Sequence, residues 1–325
     1  MAQVFLYAMV DYANCAYDFV NSLKEAGATV SGLVTYPHHF DYCNRLDRCR
    51  SDVVDLVGSV NSASHIIYLH SHKPPRDALP MNRGRKKLYL FVGDQGYRNN
   101  AEKILAYYPR LDKIFYQGSD LEGKSSYPES WLLPAVDTDF IRTKQDVSHM
   151  SHNSPIKIAH YPRNPKDKGS EVINRVMDRL SQDVTLSKKF IYDYSKKWEL
   201  VWANNLDRID QCDVYIESQS YTLETPDGRS VPMNEPSVTT YEACSLSKAV
   251  ITCFASYEKY KKEFGCTSEV IPSNSEEELE GRLRRILSLP VDKLIEKRYA
   301  TREWICRNHS RFNTGQRLKQ LLDIN

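Results

Sequence analysis

Short apolar runs alternate with amphipathic stretches along most of the chain. Val4 to Val10 reads as a buried strand, Cys15 to Ala26 as an amphipathic helix closed by Gly27, and Thr29 to Thr35 as a second strand. A helical pattern at Ser51 to Val60 leads to strands at Ile66 to His70 and Lys87 to Val92. A helix at Asn99 to Tyr108 and a strand at Lys113 to Gln117 follow. Strands that take turns with helices pair in parallel, because each helix carries the chain back across a sheet face. The polar segment Asp139 to Pro155, rich in Ser, His and Asn, then reads as a linker. After it the alternation restarts, with strands at Ile156 to Tyr161, Phe190 to Tyr194, Cys212 to Glu217, Ala249 to Cys253 and Val270 to Pro272. Between them lie helices such as Glu171 to Leu180, where Val172, Ile173, Val176, Met177 and Leu180 share one stripe, and Glu276 to Leu287. Ser218 to Pro236 is an irregular insertion with Pro226-Asp-Gly228 as its turn signal. Two doubly wound α/β domains follow from this pattern. The tail, Asp292 to Leu322, reads as helical throughout, with Trp304 and Ile305 placed to dock it back across the domain junction.

A length of 325 residues suits two such domains, and 41% hydrophobic with 26% charged residues describes an ordinary folded protein. The formal charge of +2 is too small to argue for nucleic acid by itself. Val4 to Val10 is far shorter than a membrane span and has no basic segment before it, so neither a span nor a secretory signal is expected. The eight cysteines form no CxxC pair, which points to buried thiols and a reducing, cytoplasmic setting rather than zinc or disulfides.

The chemistry concentrates in His160-Tyr-Pro-Arg163-Asn-Pro-Lys-Asp-Lys168-Gly169, between the first strand and first helix of the second domain. In a strand-loop-helix unit this is where backbone N–H groups and the positive end of a helix dipole meet a ligand, and here they are joined by an Arg and several Lys. The expected occupant is an anion.

These residues, with two more segments, resemble the GT-B glycosyltransferases, in particular the large retaining family (glycosyltransferase group 1, family 4-like) that includes glycogen and sucrose synthases. That family carries R-x-x-x-x-K-G after the first strand of its second domain, matched by Arg163, Lys168 and Gly169. Its Glu-Ala pair opening a helix before a G-x-P-V-I strand is matched by Glu242, Ala243 and Ser247-Lys-Ala-Val-Ile251. Its P-N-G-V-D-x-x-x-F segment is resembled by Trp131-Leu-Leu-Pro-Ala-Val-Asp137-Thr-Asp-Phe140 at the end of the first domain. Two departures stand out. The family's acidic pair is E-x₇-E, whereas Glu235 and Glu242 are one residue closer, so either Glu235 or Asn234 fills the first position. The glycine-rich loop after the first strand is replaced by Asp11-Tyr-Ala-Asn14-Cys15.

The resemblance implies two Rossmann-like domains facing across a cleft, an acceptor domain over 1–150 and a nucleotide-sugar domain over 153–304, with a C-terminal helix at about 305–325 crossing back to the first. It implies a retaining transfer of a sugar from a nucleotide-diphosphate donor, UDP-linked, to a hydroxyl. Arg163 and Lys168 would meet the charge growing on the leaving diphosphate. Glu242 would accept the ribose hydroxyls, with Tyr241, Ala243 and Gly169 beside the donor and Glu235 or Asn234 near its sugar. No Asp pair lies in a loop suited to Mg²⁺, so neither metal nor cofactor is expected.

In the first domain, Asp94 in Val92-Gly-Asp-Gln-Gly96 sits where glycines let the backbone approach a ligand. Arg98 reads equally as a phosphate contact or a helix-start charge. Tyr12 and Asn14 follow the first strand, where ligands of such sheets bind, and Asn14 reads equally as a helix cap. His70 invites a general-base reading, against the commoner structural one. The loop Ser71 to Lys87, with Arg83 and Arg85 among its cations, suggests an anionic acceptor: a lipid headgroup, an acidic glycan, or DNA carrying a hydroxymethylated base that Tyr36 and Phe40 could stack on. A catalytically weak nucleotide-sugar or nucleic-acid binding module of the same fold is the alternative.

Overall fold

The structure, a computed structural model, describes residues 3–36, 56–80, 84, 86–93, 95–108, 110–151, 154–195, 201–219, 222–224, 230–232 and 235–324. The chain divides into two compact units, Met1–Asp137 with Asn308–Asn325, and Thr138–Arg307.

The first unit runs β1 (Gln3–Val10), α1 (Cys15–Glu25), β2 (Thr29–Tyr36), α2 (Leu56–Ser62), β3 (His65–Leu69), β4 (Lys87–Val92), α3 (Gln95–Leu105), β5 (Lys113–Tyr116) and β6 (Glu129–Trp131). All six strands are parallel, in the order β2-β1-β3-β4-β5-β6. The central strands are buried on both faces, so they read as continuous apolar runs such as Ile66-Ile-Tyr-Leu69. Strand order reverses between β1 and β3, where the loops leaving their carboxyl ends diverge and open a crevice.

The second unit runs β7 (Ile156–His160), α4 (Ser170–Gln182), β8 (Phe190–Tyr194), α5 (Trp202–Asp210), β9 (Val214–Ile216), β10 (Thr222–Glu224), β11 (Ser230–Pro232), α6 (Val238–Ser245), β12 (Ala249–Thr252), α7 (Tyr257–Phe264), β13 (Ile271–Pro272), α8 (Glu276–Leu287) and the long α9 (Val291–His309). Its parallel sheet has the order β13-β12-β9-β7-β8, so order reverses between β7 and β9. Ile173, Val176, Met177 and Leu180 of α4 pack onto Ile158, Val214 and Ile216 of the sheet. These are four of the five residues of the predicted stripe; Val172 is half-buried and lies outside this cluster.

Several expectations are corrected. The segment from Thr138 belongs to the second unit rather than to a free linker: Thr143 Oγ1 and Lys144 N donate to Asp210 at 2.6 and 2.8 Å. α3 starts four residues before the predicted Asn99, because fully buried Tyr97 anchors an extra turn ahead of a kink at Asn100. β6 was not anticipated. The insertion after β9 contains the antiparallel hairpin β10-β11 on either side of the expected turn, whose residues 225–229 lie outside the described ones.

The tail is two helices. Ser310 leaves helical geometry (ψ 159°) and caps α10 (Arg311–Leu321), its hydroxyl accepting from Asn313 N. Trp304, expected to dock onto the first domain, stacks on Tyr241 within the second unit. The first unit instead receives α10, which lies on α1 closely enough that a Cβ on Gly315 would fall 2.0 Å from Ser22 O. Arg311 fastens this contact through Asp18, through Asp137 at 2.8 Å, and over the Tyr17 ring.

Candidate functional site

At the reversal point of the second unit, the loop 161–169 after β7 meets the loop 217–219 after β9. β7 ends at His160, whose ring hydrogen-bonds Ile216 O and Ser170 Oγ, each at 2.8 Å, tying β7 to β9 and to the start of α4. Burial pushes this imidazole down to about 4, so it is neutral and structural. Residues 164–170 wind into successive turns: Lys168 N donates to Asn164 O, Gly169 N to Lys166 O and Ser170 N to Pro165 O. The expected row of backbone donors is therefore shortened. The first bond of α4 runs from Ile173 N to Gly169 O, so Glu171 and Val172 stand in the helix's first turn, ahead of its own hydrogen-bond ladder.

Gly169 has φ +63°, and a Cβ there would lie 2.7 Å from Gln219 O. Its role is to let the two loops touch, and Gln219 N completes the contact by donating to Lys168 O. Arg163 is exposed, whereas the Lys168 ammonium pairs with Glu217, which is 2% exposed. The Glu217 carboxylate also accepts from Ser237 Oγ (2.7 Å), Ser218 Oγ (2.7 Å) and Thr252 Oγ1 (2.8 Å). Burial alone would raise its pKa; the Lys168 charge and the bonds from Lys168, Ser218 and Ser237 outweigh that and hold it at about 2. Sequence reading missed Glu217, although a carboxylate closing the apolar strand Val214-Tyr-Ile216 at a reversal point was a visible signal.

Glu242 is the fifth residue of α6, not its opening one, and is 7% exposed. Its Oε1 accepts from the indole N–H of Trp202 at 2.7 Å. Glu235 accepts from Ser256 Oγ at 2.6 Å; Asn234 lies outside the described residues. Tyr241 and Ala243 are 1% and 0% exposed, which makes them core residues instead of ligand contacts. Ser247, standing where the resemblance expects glycine, adopts φ +57°, the left-handed geometry that favours glycine. Buried Lys248 beside it pairs with Asp210 at 3.0 Å and was also missed.

In the first unit, Tyr12, Asn14 and His70 come together at the carboxyl ends of β1 and β3. Tyr12 hydrogen-bonds His72 Nε2 at 3.2 Å and packs edge-on to the His70 ring, with centroids 5.0 Å apart. His70 takes φ +67° while its N–H donates to Phe91 O, so the strand end constrains it. Asn14 occupies the cap position of α1 but makes no cap bond. Asp11 does that work, accepting from Ala16 N at 2.7 Å and Tyr17 N at 3.1 Å. Both polar atoms of the Asn14 side chain are buried without a hydrogen-bond partner, a state that native proteins rarely leave unexplained. Burial raises the Asp11 carboxyl, and its two amide bonds only partly offset this, leaving it at about 7.

Arg98 is not available as a phosphate contact. It grips Asp120 through Nε (2.6 Å) and a terminal nitrogen (3.2 Å) and donates to Gly93 O at 2.8 Å. Asp94, Arg83, Arg85 and Phe40 lie outside the described residues. Among the described residues, no cluster of three His, Cys, Asp or Glu is grouped to hold a metal, and no helix is long and apolar enough to cross a membrane.

The sequence matches no protein-family model and no curated protein sequence. Solved structures match over the whole chain. HepE of Anabaena, in complex with UDP and glucose, aligns with a TM-score of 0.62 at 9% identity, covering 99% of this chain and 100% of that one. An α-glucosyltransferase bound to UDP-glucose and DNA containing an abasic site aligns with a TM-score of 0.59 at 10% identity, covering 99% of each chain. A trehalose-6-phosphate synthase studied for glycosyl transfer with retention aligns with a TM-score of 0.57 at 11% identity, covering 98% of each. The chain has the GT-B fold.

Proposed function

We propose that this protein is a glycosyltransferase that moves a sugar from a nucleotide-diphosphate donor, UDP-linked, to a hydroxyl acceptor with retention of configuration. The observation that carries this reading is the cationic loop of Arg163 and Lys168 at the reversal point of the second sheet, in a fold shared with proteins solved with UDP-glucose. When the bond from the anomeric carbon to the diphosphate oxygen breaks, its electron pair stays on that oxygen. Arg163 is suited to bind phosphate oxygens as a bidentate fork, and Lys168 meets them as a point charge. In a front-face attack the leaving oxygen takes the acceptor's proton as the new glycosidic bond forms. Glu242 accepts ribose hydroxyls through the carboxylate that Trp202 orients, and Glu235 or Asn234 lies toward the sugar. No metal or cofactor is required, and chelation leaves the rate unchanged.

The acceptor binds at the carboxyl ends of β1 and β3, beside Tyr12, which packs edge-on to the buried His70. A glycan or lipid hydroxyl and a hydroxymethylated DNA base are the candidates. The second reading, a binding module without turnover, draws its support from Lys168 already being paired with Glu217. Incubation with UDP-glucose, measuring UDP release, separates the two. Turnover predicts slow donor hydrolysis that is lost in Arg163→Ala and Lys168→Ala; UDP binding without release under glycan, lipid or modified-DNA acceptors would overturn it.

A further inference from the structure

Four segments of the second unit converge on one buried carboxylate. Glu217 Oε1 takes Lys168 Nζ from the loop after β7 and Ser237 Oγ from the start of α6. Its Oε2 takes Ser218 Oγ from the loop after β9 and Thr252 Oγ1 from the end of β12. A carboxylate with two donors on each oxygen is fixed in place and ionised. Lys168 differs: its side chain is 20% exposed against 1% for Glu217, so solvent reaches the pair from the lysine side.

We infer that Glu217 is an internal counter-ion that holds Lys168, so that a small anion gains little at this loop and a nucleotide must bring further contacts to bind. The inference rests on Lys168 as the donor-phosphate contact. Any phosphate oxygen within hydrogen-bonding reach of Lys168 Nζ comes within a few ångströms of the Glu217 carboxylate, and at that range like charges repel strongly. The N–H groups of Lys168, Gly169 and Ser170 already serve the loop's own turns and do not offset this repulsion. Exposed Arg163 and Lys166 are the other cations of the loop. Glu217 is thus a specificity-determining group that acts through Lys168.

Inorganic pyrophosphate, which lacks any nucleoside, is the probe. Its affinity and that of UDP are measured by calorimetry on the full chain, on Glu217→Gln, on Lys168→Met and on the double variant. Gln keeps the size of the side chain; its single amide oxygen can still accept from Ser218 and Thr252 while its NH2 donates to Ser237 Oγ, and unfolding midpoints check the fold. Glu217→Gln is expected to bind pyrophosphate about tenfold more tightly, roughly 1.4 kcal/mol. The gain should vanish in the Lys168→Met background and be smaller for UDP. Glu217→Asp, which withdraws the charge by one methylene, should give a smaller gain and serves if the Gln variant does not fold. Unchanged or weaker binding in a folded variant, a gain that persists without Lys168, or no pyrophosphate binding in any variant overturns the inference. UDP release by the wild type without any gain in Glu217→Gln leaves the donor site standing and removes the counter-ion. A Lys168-dependent gain with no binding of UDP or UDP-glucose does the reverse.

Discussion

Trp202 donates its indole N–H to Glu242 at 2.7 Å, linking the first residue of α5 to the middle of α6. The indole also stacks on Phe140, with centroids 5.9 Å apart. Trp202→Phe keeps an aromatic ring for Phe140 but removes the donor from a largely buried carboxylate. We expect a loss of about 1–3 kcal/mol in urea unfolding, together with weaker UDP binding in calorimetry. Unchanged UDP affinity in a measurably destabilised Trp202→Phe would show that Glu242 is not oriented by this bond.

Gly169 has two separate reasons to be glycine, a left-handed backbone and the Gln219 carbonyl 2.7 Å from where a Cβ would sit. Gly265, at the end of α7, has a similar φ of +65° with nothing within 4 Å. Gly265→Ala should cost about 1 kcal/mol, the penalty of the left-handed conformation alone. Gly169→Ala should cost about 2–4 kcal/mol, since it adds a clash with backbone. Equal losses in the two unfolding curves would mean that the loops 161–169 and 217–219 do not touch as described.

Asp11 makes stability fall as pH rises. Its folded pKa, raised to about 7, lies above the value of about 4 expected for an unfolded carboxyl. The folded state therefore binds more protons between those values, and its contribution is complete below the lower one and lost on passing the upper. Unfolding free energies measured at pH values across 4 to 7 in Asp11→Asn should lack this downward component. The same slope in wild type and variant would refute it.

The β7-loop-α4 unit was legible because its information is local: an apolar strand, a run of cations with glycine, and a helix whose stripe repeats every turn. Arg98 was ambiguous for the opposite reason, since its carboxylate partner Asp120 lies 22 residues away and only the parallel sheet brings them together. Glu217 and Lys168 are 49 residues apart, and no local pattern announces that pair. Tyr241-Glu-Ala243 has the letters of a ligand-facing group, yet helical geometry turns Tyr241 and Ala243 into the core. Asn14 was recognised as a capping type, but the cap bond went to Asp11, three residues earlier. Capping preference is set by residue class, whereas the choice among neighbouring candidates is set by backbone angles such as the φ of +58° at Asn14.

The return of α10 to the first unit also governs the order in which the protein can assemble. On a ribosome, residues 138–307 emerge before Arg311 and Gly315, so the second unit has its whole sequence available while the face of α1 around Ser22 still lacks its covering helix. The nascent first unit must wait, with that face of α1 uncovered, for the last segment of the described chain.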